Sequence, residues 1–184
     1  MTSEELADRA AIEDLVKLYA RGVDRRDFAL LRTLYHDDAI DDHGSYYCGP
    51  AGGYIDWLEA EALAHMEMTN HYISNHLIVL NGHRAEGEVY MAAYHRFADG
   101  KGGHMDLLTG GRYLDKYEKR DGLWRFSHRK IAQDWNALGP TKSTFEEAHS
   151  DARNRGTNTP ADPSHSFFEL LPIRPATAPE GSSL

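Results

Sequence analysis

Eleven histidines stand in this 184-residue chain beside 29 carboxylates, ten tyrosines and a single cysteine, Cys48. Histidine is the side chain whose ordinary pKa suits it to take a proton from carbon near neutral pH. To do so it needs a partner that fixes its tautomer and stabilises the imidazolium it becomes, and a buried carboxylate does both. Metal chemistry is the competing use of so many histidines. No H-x-x-x-H or H-E-x-x-H spacing occurs, and His43, His95, His104 and His128 are scattered. His71 and His76 are five apart in a strand pattern, which places them on opposite faces. No bound metal is expected. Cys48 lacks the local His or Asp arrangement of a nucleophile, and one cysteine excludes both an intramolecular disulfide and a thiolate zinc cluster. Gly102-Gly103 and Gly110-Gly111 lack phosphate-loop and dinucleotide spacing and read as bends.

The chemistry must be positioned by a chain of ordinary globular composition. Hydrophobic residues make up 41% and charged residues 27%. The net charge of −9 does not suit a phosphate backbone, which calls for a basic stripe. No apolar run approaches a membrane span, and no basic-then-apolar leader opens the chain. The expectation is a soluble, cytoplasmic protein with one domain over residues 1–155 and a Pro-rich extension over 156–184.

The elements follow from periodicity. Thr2 and Glu5 have capping-box spacing, and Ile12, Leu15, Val16, Tyr19 and Val23 form one apolar helical face. Asp27 caps a short second helix carrying Leu30, Leu31 and Leu34. His36 to Pro50 reads as turn and short strand, and Pro50 to about Met68 as a third helix through Tyr54, Leu58, Ala62 and Met66. Four long strands follow: His71–Leu80, Arg84–Phe97, His104–Arg120 and Leu123 to about Trp135. Asn81-Gly82 and Asp121-Gly122 mark tight hairpin turns. Leu77 to Leu80 is apolar on both parities, which predicts burial on both faces. Helices gathered before an antiparallel sheet indicate an α+β fold. Five of seven prolines lie between Pro160 and Pro179, and Phe167, Phe168, Leu170 and Leu171 suit a tail draped over the surface.

Several fragments, in order, resemble one family. They are Ala10-Ala11-Ile12-Glu13-Asp14-Leu15, Gly22-Val23-Asp24, Tyr35-His36-Asp37-Asp38-Ala39, Gly49-Pro50, Asn70-His71-Tyr72, Gly110-Gly111-Arg112-Tyr113, Tyr117-Glu118 and Arg120-Asp121-Gly122 with Trp124. Over roughly residues 5 to 135 the chain resembles the SnoaL-like branch of the NTF2-like superfamily. The resemblance implies a cone of three helices packed on a curved mixed sheet. That branch includes scytalone dehydratases, hexachlorocyclohexane dehydrochlorinases and bile-acid 7α-dehydratases, which eliminate a small group without metal or organic cofactor. It implies an Asp–His pair at Asp24 and His71, and a tyrosine at Tyr19 to hydrogen-bond the leaving group. The dehydratase's second acidic residue would fall near Ala93 and is missing.

What the resemblance implies is a cofactor-independent lyase, releasing water or formaldehyde from a hydrophobic, hydroxylated aromatic or polycyclic substrate. A lignin-derived diarylpropane diol is one such substrate, since formaldehyde-releasing lyases share the branch. Tyr47, Tyr54, Tyr90, Tyr94, Tyr113 and Trp135 are candidate cavity aromatics, for which plain core packing is the competing reading. Asp41, Asp42 and His43 suggest a polar patch at the mouth, or a solvated turn. A core tyrosine at Tyr19, a turn residue at Asp24 and a packed histidine at His71 are the corresponding alternatives. An isomerase or cyclase of ketosteroid or polyketide type, or a non-catalytic binding module, is the competing function. A homo-oligomer is expected, because a cone has only one inside while Leu77–Leu80 is apolar on both faces, and the resemblance implies a trimer before a dimer.

Overall fold

The computed structural model describes residues 1–143 and 154–169. Helix α1 (Ser3–Asp24) opens on the capping box: Glu5 N–H donates to Thr2 Oγ1 at 3.1 Å, and Thr2 N–H donates to the Glu5 carboxylate at 2.7 Å. Its buried face is Ile12, Leu15, Val16, Tyr19, Ala20, Val23 and Asp24. Asp27 caps α2 (Phe28–Thr33) through Leu30 N–H at 2.9 Å. Strands β1 (Tyr35–Asp42) and β2 (Cys48–Pro50) precede α3 (Ala51–Trp57). The long strands are β3 (Met66–Asn81), β4 (Arg84–Ala98), β5 (His104–Arg120) and β6 (Leu123–Pro140). The fold is α+β: one six-stranded curved sheet of order β2-β1-β6-β5-β4-β3, with α1 laid across its inner face against β3 and β6. Only β1 and β6 pair in parallel; the other neighbours are antiparallel.

The reversal between α1 and α2 sets the site. Arg26 takes φ 56°, a left-handed conformation that costs a non-glycine residue about 1–2 kcal/mol. Its guanidinium then donates to Val23 O at 2.6 Å, Met66 O at 3.1 Å and Thr69 Oγ1 at 3.0 Å, tying the end of α1 to the start of β3. At the other end, Asp8 Oδ1 accepts from Lys119 Nζ and Trp124 Nε1, both at 2.8 Å, fastening α1 to the β5–β6 hairpin.

Several sequence expectations need correction. The third helix stops at Trp57, widens into a π-turn over Leu58–Ala62 and is over before Met66, where the backbone is captured by pairing with Phe97 of β4. Strand β6 runs on to Pro140 because β5 offers partners back to Met105. In the first hairpin Asn81 still pairs with Arg84, so the turn is Gly82-His83, led by Gly82 at φ 60°. Asp121-Gly122 is the two-residue turn expected, both at positive φ.

His71 and His76 do not lie on opposite faces. Ile73 pairs with Met91 and His76 with Val89, so Ser74 and Asn75 together face Tyr90. This bulge adds one residue and returns His76 to the inner face, with its Nε2 at 3.3 Å from the Tyr117 hydroxyl. Nor is Leu77–Leu80 buried on both faces in the single chain: Ile78 is buried, while Leu77 and Val79 are 66% and 70% exposed on the outer face.

Of the C-terminal stretch, Phe167 and Phe168 are exposed rather than draped, and Leu170 and Leu171 lie outside the described residues. The segment is held by Asp162, which caps the short turn α4 (Pro163–Phe167). Asp162 accepts from Thr157 N–H at 2.9 Å and Ser164 N–H at 3.0 Å and pairs with Arg25 at 3.4 Å. Burial acts to raise this carboxyl, but the Ser164 and Thr157 hydrogen bonds and Arg25 outweigh it and hold it down at about 2. A depressed carboxyl stabilises its attachment above the ordinary pKa of 3.8 and loses that contribution as pH falls toward about 2. Asp162→Asn is therefore expected to mimic acid at neutral pH. The readout is faster tryptic cleavage after Arg155, with the melting temperature of the body little changed.

Candidate active site

Asp24, the last residue of α1, is buried, and both its oxygens are engaged by one residue of β3. His71 N–H donates to Oδ2 at 2.8 Å, and His71 Nδ1 lies 2.7 Å from Oδ1. A carboxylate only accepts, so Nδ1 carries the proton and Nε2 is the basic nitrogen. His71 lines a cavity of about 500 Å³ between α1, α3 and the inner face of the sheet. The apolar wall includes Val23, Leu58, Met91, Ala93, Leu107 and Ile131. Ala93 stands opposite His71 in the β3–β4 ladder and brings no second carboxylate.

A second polar group lies in the same cavity. Tyr19 Oη is 2.8 Å from Tyr54 Oη, and Tyr54 Oη is 3.0 Å from His43 Nε2. His43 Nδ1 is 2.5 Å from Asp41 Oδ1, and Asp41 Oδ2 accepts from Tyr35 Oη at 2.8 Å. Asp41 is fully buried, so it is no solvated turn residue. Burial raises the Tyr19 and Tyr54 hydroxyls above the ordinary phenol range, with the Asp41 charge adding to it.

The structure brings His71, Tyr19, His43, Tyr54 and Tyr113 to this cavity, with Asp24 behind His71 and Asp41 behind His43. Tyr47 stands behind the wall, its ring 5.6 Å from that of Tyr54 and its hydroxyl on Pro50 O at 2.8 Å. Three expected cavity aromatics lie elsewhere. Tyr90 and Tyr94 have the opposite parity to Ala93 and His95 on β4. Tyr90 is exposed, and Tyr94 donates to Asp106 at 2.7 Å beside a different hollow. Trp135 is turned out by a bulge. Gly110 pairs with Trp135 and Gly111 with Gln133, leaving Asp134 as the extra residue, held by Arg112 at 3.0 and 3.1 Å. The indole covers Gly110 on the outside, where a Cβ would come within 2.2 Å of the ring.

Other residues of the site were not singled out from sequence. His95 lines the cavity with its ring edge-on to His71 at 5.7 Å. Burial first, and then the neighbouring His71, push it down to about 4, so it is neutral at pH 7. Its parity, shared with Ala93, was the available signal. Beneath the cavity the buried Arg129 donates to both Asp115 oxygens at 2.7 Å, with its guanidinium 4.1–4.2 Å from the ring centres of Tyr19, Tyr113 and Phe126. Gln133 donates to Thr109 Oγ1 at 2.7 Å on the far wall. Among the described residues, no three His, Cys, Asp or Glu side chains gather as a metal site. Among them, too, no helix is long and apolar enough to cross a membrane.

Comparison with known proteins bears on the family and the fold. The SnoaL-like domain family matches residues 4–130. Hexachlorocyclohexane dehydrochlorinase 1 of Sphingobium indicum is 30% identical over 128 residues, covering 67% of this chain and 80% of the relative. The crystal structure of a type 2 hexachlorocyclohexane dehydrochlorinase superposes with a TM-score of 0.67 at 25% identity, over 76% of this chain and 92% of that one. A scytalone dehydratase-like protein of Novosphingobium aromaticivorans shares the fold, with a TM-score of 0.66 at 24% identity over 74% and 91% of the two chains. With the helices on a curved mixed sheet and the matched segment spanning most of its length, the chain belongs to the SnoaL-like family of NTF2-like proteins.

Proposed function

We propose that the protein is a cofactor-independent lyase that removes a proton with His71 and expels a small oxygen-bearing group from a hydrophobic substrate. The observation that carries this reading is the pair of hydrogen bonds from His71 to Asp24 inside a cavity. They leave Nε2 as the free basic nitrogen, and the Asp24 charge stabilises the imidazolium that forms. The Tyr19–Tyr54–His43 group supplies donors for the departing oxygen, and the aliphatic walls between suit a ringed substrate. The dehydrochlorinase relatives support elimination as the reaction class. Dehydration of a hydroxylated aromatic or polycyclic compound is the simplest form. Release of formaldehyde from a two-ringed phenolic diol uses the same base on a hydroxyl proton. A screen of hydroxylated aromatics, diarylpropane diols and steroids, read by mass loss of water or formaldehyde, tests the class directly. No turnover in such a screen, with ligands bound but unchanged, would favour a binding module.

His71→Ala is expected to lower kcat by about 10²–10⁴, the usual contribution of a positioned acid–base group. Asp24→Asn should cost a comparable factor. The amide offers the two His71 donors only one acceptor and brings no charge to the imidazolium. A circular-dichroism melt separates this loss from misfolding. Added EDTA is expected to leave turnover unchanged.

The assembly proposed is a homotrimer. The outer face of the sheet carries Tyr72, Leu77, Val79, Tyr90, Leu108 and Trp135, all exposed in the single chain. An apolar patch of this kind calls for a covering surface. Light scattering at micromolar concentration should give three times the 20.7 kDa chain mass, and Trp135→Arg should shift it downward. A 20.7 kDa species for the unaltered chain would overturn the proposal.

A further inference from the structure

The second polar group of the cavity is a continuous hydrogen-bonded chain: Asp41, His43, Tyr54 and Tyr19, with links of 2.5, 3.0 and 2.8 Å. Each tyrosine hydroxyl has one proton to give, so the direction of the whole chain is decided at its histidine end. The Asp41 carboxylate only accepts, which places a proton on His43 Nδ1. With His43 neutral, Nε2 is bare and accepts a hydrogen bond from the Tyr54 hydroxyl. The Tyr54 oxygen then accepts from the Tyr19 hydroxyl, and Tyr19 presents only lone pairs to the cavity. With His43 protonated, Nε2 donates to Tyr54, Tyr54 donates to Tyr19, and the Tyr19 proton is released toward the cavity.

We propose that His43 is the proton reservoir for the leaving group, acting through Tyr54 and Tyr19, and that its protonation converts Tyr19 from hydrogen-bond acceptor to donor. The proposal rests on the lyase reading of this site and adds the source of the second proton. The step balances. As the C–H bond breaks, its proton goes to His71 Nε2 and its electron pair forms the new double bond. The C–O bond breaks with its electron pair on oxygen. That oxygen takes the Tyr19 proton, Tyr19 takes that of Tyr54, and Tyr54 takes that of His43 Nε2. Water departs. His43 regains a proton from solvent and His71 releases one.

The surroundings suit that role. The His43 ring lies nearly parallel to that of Tyr54, with centroids 4.5 Å apart, and its backbone N–H donates to Tyr47 O at 2.7 Å, so the imidazole is held in register. It remains partly exposed next to Gly44 and Ser45 on the cavity rim, where solvent protons reach it. The charged and titratable groups around the chain are accounted for. On β1, Asp41 faces it, while Asp42 is turned to Lys130 at 2.9 Å. Tyr35 and Tyr47 are neutral hydroxyls already bonded. Arg129 of β6, under the Tyr19 ring, is paired with Asp115. Burial keeps Tyr19 and Tyr54 protonated, so both relay a proton and neither becomes a phenolate near neutral pH.

The test is an NMR titration of the unliganded protein with isotope-labelled histidine ring nitrogens and tyrosine Cζ. The Tyr19 and Tyr54 Cζ resonances are expected to shift in the same pH window as His43 Nε2, and to lose that shift in His43→Gln. Tyr54→Phe should cut the chain, so that His43 still titrates while Tyr19 no longer responds. A role in packing alone would not move Tyr19 with pH. His71→Gln should leave the coupling intact, so the result stands or falls apart from the identity of the base. A Tyr19 resonance that stays constant through the His43 titration, or that follows His71, overturns the proposal.

Discussion

The Asp24 carboxylate is the group on which the rest depends. A carboxylate taken out of water is tolerated only when its oxygens are hydrogen-bonded, and leaving a buried charge unpaired costs about 3–5 kcal/mol. Here one residue, His71, satisfies both oxygens, one with its backbone and one with its ring. The last turn of α1, the left-handed Arg26 and the first residues of β3 must therefore meet in one arrangement. The same contact that closes the fold also aims the imidazole. Stability and reactivity are not separable at this point, because the bond that holds helix to sheet is the bond that selects the tautomer.

A second buried charge supports the cavity from beneath. Arg129 would be prohibitive alone at full burial. Its two parallel bonds to Asp115 and the three aromatic faces around its guanidinium make it tolerable. Tyr19 is consequently fixed twice, by a cation against its ring and by Tyr54 at its hydroxyl. Few rotamers remain open to it, and a donor so constrained needs little reorganisation when charge develops on a departing oxygen.

Much of this was legible locally. The Thr2–Glu5 box, the Asp27 cap, the Asp121-Gly122 turn and the long strands all follow from neighbours within a few residues. Contacts that depend on counting along strands were not. The register read back from Asp121-Gly122 sets Asp115 against His128. An extra residue between Phe126 and His128 moves the partnership to Arg129, and so hides the buried pair. The apolar spacing through Tyr54, Leu58, Ala62 and Met66 runs past the true end of the helix, because pairing with β4 overrides helical periodicity at Met66. His95 is the opposite case. Its parity with Ala93 marks it as inward-facing, and the same alternation marks Tyr90 and Tyr94 as outward.

The bulges at Ser74-Asn75 and Asp134 carry a consequence for comparing relatives. Each absorbs one extra residue and so shifts the inward–outward alternation by one position along its strand. A relative of equal strand length whose β6 ran without the bulge would present the indole to the cavity with no residue substituted, whereas loss of Asp134 together with the bulge would keep Trp135 opposite Gly110 on the outside. Aligned columns that cross such a point set inward side chains against outward ones. A pocket wall can thus change by the gain or loss of a bulge alone, and matching residues by position misjudges which of them a bound molecule meets.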